Sequence, residues 1–131
     1  MIIKEFTVTE SHSNDRVVLD VKIFDTLTNL RDYIKTFSDK SPKSVLGVHR
    51  YLPDDERHCI GEVCLASSRL DIDIIAHECI HAAMSVIYQC GYDAVPLGTT
   101  LDKDELEENV CYLSQEFLRE ILKVLKKDGI L

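Results

Sequence analysis

The chain has 131 residues, a length that suits one domain and lets it bury a core without metal or disulfide staples. Apolar content of 45% and charged content of 29% are ordinary for a globular protein. The formal net charge is -8 and the lysines and arginines are scattered, so the basic footprint of a nucleic-acid binder is missing.

Taken in chain order, "IIKEFTV" puts Ile2, Phe6 and Val8 on one side of an extended segment, and "RVVLDVKIF" does the same with Val17, Leu19, Val21 and Ile23. The polar "SHSND" between them predicts a turn that joins the two as an antiparallel pair, the start of a single α+β domain expected to span 1–131. The period then changes. Leu27, Leu30, Ile34 and Phe37 recur at helical spacing, with Asp25 as the expected N-cap. "SDKSPKS" ends that helix. "SVLGVHRY" and "IGEVCLA" are two further strand candidates, separated by "LPDDERH". "SSRLD" should open a long helix running to Gly91, a C-cap by residue type. After the loop "GYDAVPLGTT", Asp102 and Glu105 have the spacing of a capping box. The last helix is expected to reach about Lys127, with Leu106, Val110, Leu113, Phe117, Ile121 and Val124 on one face. Strands, helix, strands and two long helices define an α+β fold, a small antiparallel or mixed sheet packed on one layer of helices.

Cysteine usage bounds the setting. The five cysteines are odd in number and several sit in apolar runs, which fits buried free thiols in a reducing compartment. "MIIKEFTVTE" lacks a signal-peptide core and no apolar run is long enough for a bilayer. The expectation is a cytoplasmic protein with neither membrane nor nucleic-acid partners.

The chemistry concentrates in "IIAHECIHAA". His77, Glu78 and His81 spell H-E-x-x-H inside an apolar helix, where unpaired ionisable groups are costly. Histidines four apart share a helix face, so two imidazoles can reach one ion. Glu78 lies about 100° around the helix from His77 and can reach a water on that ion without joining its ligands. This is the pattern of one zinc ion with a general base, since zinc brings the pKa of a bound water to near 7. The competing explanation is a pair of hydrogen-bonded core histidines beside a surface glutamate. Cys79, about 200° from His77, should face the core.

A catalytic zinc needs a third protein ligand and an open position. His12, His49 and His58 all precede the motif, and Tyr88 stands where the extended three-histidine pattern would place its last ligand. His49 reads as a partly exposed strand residue. A second metal site from His58, Cys59 and Cys64 has no trustworthy spacing. A carboxylate in the early turns of the last helix, in "LDKDELEENVCYL", is better placed, because the short loop packs that helix beside the first.

"IIAHECIHAA" followed by "EENVCYL" resembles the small phage and prophage-type gluzincins, or minigluzincins, from roughly Ile60 to the end. The resemblance implies a compact zincin-like domain with zinc held by two histidines and one glutamate. It places that glutamate three residues before a small residue and four before Tyr. Cys111 and Tyr112 fill those slots, which selects Glu108 as third ligand beside His77 and His81. On the helical wheel Glu107 points nearer the apolar face and remains the alternative. In zincins the strand before the motif helix rims the cleft, so a peptide substrate could pair with residues 60–66, where Glu62, Cys64 and Ala66 share one face.

The expected activity is therefore that of a zinc metallopeptidase with Glu78 as catalytic base, the alternative being a phage-type interaction module that keeps its metal without turnover. Two histidines and a carboxylate also suit non-haem iron, but an oxygenase has no use for Glu78. Only 50 residues follow His81, so the lower wall of the cleft should be thin.

Overall fold

A computed structural model describes residues 1–9, 17–39, 43–52, 59–89 and 103–131. The expected turns at 11–15 and 91–100, the Gly91 cap, the Asp102–Glu105 box, and His12, His58 and Cys90 lie outside those residues. So do the side chains of 59, 60, 89 and 103–105.

The elements follow the order expected from the periodicities: β1 (Ile2–Thr9), β2 (Val17–Phe24), α1 (Leu27–Ile34), β3 (Gly47–Leu52), β4 (Cys59–Ala66), a 3₁₀ turn (Ser67–Arg69), α2 (Ile72–Gln89) and α3 (Lys103–Lys127). The strands form one mixed sheet in the order β1-β2-β4-β3. β1 pairs antiparallel with β2, as the alternation predicted, and β3 antiparallel with β4. β2 and β4 run parallel in the centre, in register from Val17 opposite Cys59 to Phe24 opposite Ala66. A parallel pair is usually covered on both faces.

That accounts for one departure from the single helical layer expected. The face carrying Val17, Leu19, Val21, Ile23, Val63 and Leu65 packs against α2 and α3. The opposite face, with Phe24, Cys64 and Ala66, packs against Leu30 and Ile34 of α1. Helices therefore cover the sheet from both sides. Leu113, Phe117, Ile121 and Leu125 of α3 are fully buried. The buried stripe ends on Leu125 where Val124 was expected, because a run of four-residue steps drifts around a helix of 3.6 residues per turn.

The helix starts are locally specified. Thr26, in extended conformation, accepts a hydrogen bond from the Asn29 N–H through its side chain and caps α1. The expected cap, Asp25, sits one residue too early. Its carboxylate accepts instead from the Asn29 side chain at 2.7 Å and the N-terminal ammonium at 3.0 Å. Asp71 accepts from the Ile74 N–H at 2.9 Å, satisfying one of the open donors of α2. The long helix expected from "SSRLD" is thus divided. Ser67–Arg69 forms a 3₁₀ turn, Leu70 is extended, and α2 begins after Asp71. Among the described residues no helix is long and apolar enough to cross a membrane.

Candidate metal centre

α2 is tied to the sheet by that short turn and lies across β3 and β4. Its core side is settled by Ile75, Cys79, Ala82, Ala83, Val86 and Ile87, all buried. Cys79 faces the core as its helical angle predicted, and burial pushes its thiol up to about 12, where it stays protonated. The rotation that buries these residues turns His77 and His81 outward along one exposed edge of the helix.

There the two imidazoles meet. Their Nε2 atoms are 3.1 Å apart, with the rings edge to face at 71°. Two nitrogens at that separation share a proton or an ion. Two corners of a zinc tetrahedron with Zn–N bonds of about 2.0–2.1 Å lie about 3.3 Å apart, so the pair suits a single zinc. Glu78, between them in sequence, is 6% exposed. Burial pushes its carboxyl above the usual carboxylate range, against a smaller downward pull from His77. Gly47 of β3 closes on it from the sheet. A Cβ built there would stand 3.2 Å from Glu78 Cγ and 3.3 Å from both Ile74 and Leu65. The glycine lets β3 approach Glu78 this closely.

His77, Glu78 and His81 line a cavity of about 530 Å³ whose far wall is β3, through Gly47, His49 and Tyr51, and whose end is closed by Met84, Ser85 and Tyr88 of α2. A second, more apolar depression of about 410 Å³ shares Gly47, His77 and Glu78 and continues past Val45, Leu46 and Ile74. His77 and Glu78 thus stand where a polar and an apolar depression meet.

The third ligand is not assembled. Glu107 and Glu108 are both exposed on α3. Glu107 lines a groove between α2 and α3 with Met84 and Tyr88. Among the described residues no group of three or more His, Cys, Asp or Glu side chains is disposed to hold a metal. Tyr112 packs against the core.

His49 is a partly exposed strand residue, as expected. It stands in the wall facing His81, and burial, with a smaller contribution from His81, lowers its pKa to about 4. Its ring rests over Gly61, where a Cβ would come within 2.8 Å of His49 Nε2. The spacing of a glycine in β4 against a histidine in β3 is a pairing signal that appears only once strand register is known. The expected docking strand changes. Residues 60–66 belong to β4, which is bonded to β2 on one side and β3 on the other and has no free edge. The edge beside the site is β3.

On the reverse face of β4, Glu62 is 1% exposed and ion-paired to Lys22 and to Arg50, the latter at 2.9 Å, with the Tyr33 hydroxyl donating at 3.0 Å. Burial alone would raise this carboxyl. The bonds from Lys22 and Arg50 outweigh it and hold the carboxyl below its ordinary range. Arg50 also lines the large cavity, so this cluster braces the strand that walls the site.

Comparison with profiles of known protein families, with curated proteins and with solved structures finds no match to the chain.

Proposed function

We propose that the protein is a zinc-dependent metallohydrolase, a peptidase of gluzincin type with a zincin-like fold. One observation carries this: two imidazole Nε2 atoms 3.1 Å apart, beside a buried glutamate in one cavity. His77 and His81 would hold the ion and Glu108, from the start of α3, would complete the set. Glu107 is the alternative from the same turn. Bound there, zinc would acidify a water and polarise a carbonyl. Glu78, buried beside the pair, would serve as the acid–base group of the site, able to hold a proton taken from water and to pass it to a leaving amine. Gly47 keeps β3 close enough to fix the Glu78 stem. An extended peptide would lie along the open edge of β3, with its main chain bonding the strand.

The test is elemental mass spectrometry of untagged protein beside His81→Ala and Glu108→Ala. One zinc per chain, lost in both variants, is expected. Glu78→Gln should then keep the metal while hydrolysis of a peptide library falls about 10²-fold or more. Hydrolysis that survives this change would rule out the mechanism. The exposed, unassembled position of Glu108 favours a second reading, a metal-holding interaction module, which predicts zinc in the wild type and no turnover.

A further inference from the structure

We infer that His49 is a catalytic residue of this site, the hydrogen-bond donor that the β3 wall offers to the carbonyl of a bound peptide. The inference rests on the hydrolase reading above and adds the contact to the substrate oxygen that His77, Glu78 and His81 do not supply.

Three observations converge on it. First, the sheet face under α2 carries Val17, Leu19, Val21, Ile23, Val63 and Leu65 in the core, and opposite Val63 the strand β3 sets the imidazole of His49 on that face. Second, the ring is accommodated by its neighbour: β4 has no side chain at Gly61, where a Cβ would meet Nε2 at 2.8 Å and Cδ2 at 3.5 Å. A β-strand loses packing at such a glycine, and here the space is taken by the imidazole. Third, the His49 ring makes no hydrogen bond to another side chain among the described residues, although it lines the cavity that holds His77, Glu78 and His81. A partly buried polar ring without a partner is costly and calls for one.

The partner it suits is an oxygen in the cavity. His49 does not join His77 and His81 in a group able to hold a metal. It stands on the opposite wall, on a strand braced from behind by the Arg50–Glu62 pair. An N–H donor on that wall that bonds a carbonyl oxygen as charge develops on it would stabilise a tetrahedral transition state.

The experiment compares zinc-loaded wild type, His49→Ala, His49→Gln and His81→Ala. Zinc affinity is measured by competition with a chromophoric chelator. Binding of two probes is measured by calorimetry: a phosphoramidate dipeptide, whose tetrahedral P–O⁻ occupies the place of the attacked carbonyl, and acetohydroxamate, which needs only the ion. His49→Ala should keep zinc within about threefold and keep acetohydroxamate, while phosphoramidate affinity falls about 10²-fold, the scale of one such donor. His49→Gln, which retains an N–H donor, should recover part of that loss and also serves if the alanine variant does not fold. If His49→Ala loses zinc as His81→Ala does, His49 is a ligand, and the inference is overturned while the site stands. Unchanged phosphoramidate affinity in both His49 variants, or none in the zinc-loaded wild type, overturns it too. A wild type that binds no zinc defeats the underlying site first, and the inference with it.

Discussion

Glu62 is the residue whose surroundings make the firmest demand. Its carboxylate is enclosed by Lys22, Arg50 and Tyr33 on the face of the sheet away from the cavity. Removing it by Glu62→Ala leaves two cations facing each other and should cost about 3 kcal/mol, read by urea unfolding. Because the folded carboxyl is held below its ordinary range, its stabilisation is complete above that range and disappears as pH falls through the lowered value. The gap in stability between wild type and Glu62→Gln should therefore be widest near neutrality and close on acidification. Gly47 makes a demand of another kind. Gly47→Ala puts a methyl 3.2 Å from Glu78 Cγ, and should lower kcat with zinc content unchanged. Residue identities of this type were legible only in part. His77, Glu78 and His81 stood out because ionisable groups in an apolar helix need a reason. Glu62 read as one member of an alternating strand, since its partners are 12 to 40 residues away in sequence.

Among the elements, α3 is the main covering of the sheet after α2. Phe117 is fully buried in the centre of its stripe, and Phe117→Ala should destabilise by about 3–5 kcal/mol, seen as a lower urea midpoint with an unchanged slope. Of the described elements, β1, β2, α1 and α3 were readable from period, because apolar residues recur along each at its own spacing, whereas β3, partly buried along its whole length, has no such alternation. Pairing was less so. The β1–β2 pair follows from a short polar connection, whereas the parallel contact of β2 with β4 joins strands separated by α1 and β3. Without it, β4 looked like a free rim and α1 like part of one helical layer. Glu108 shows the same limit. A motif selects the residue, but the docking of α3 against α2 sets how near its carboxylate comes to the histidine pair.

For the whole molecule, a bound ion would act on the folding equilibrium. Zinc at 100 times its dissociation constant adds about 2.7 kcal/mol to any folded state that holds it, worth roughly 10 °C in Tm for a chain of this size. A calorimetric scan with and without chelator should show that difference in the wild type and none in His81→Ala. The sheet order adds a consequence for how the fold opens. β2 and β4 are bonded along both sides, while β1 and β3 each have one side open. In amide hydrogen exchange, β4 should be among the last strands to take up deuterium and β3 among the first. α2 leaves β4 through a single 3₁₀ turn, so the two histidines are anchored to the slow part of the protein. The wall opposite them belongs to the fast part. Breathing of β3 would then widen the cavity while the histidine pair stays in place, giving an extended chain a way in that needs no separate moving lid.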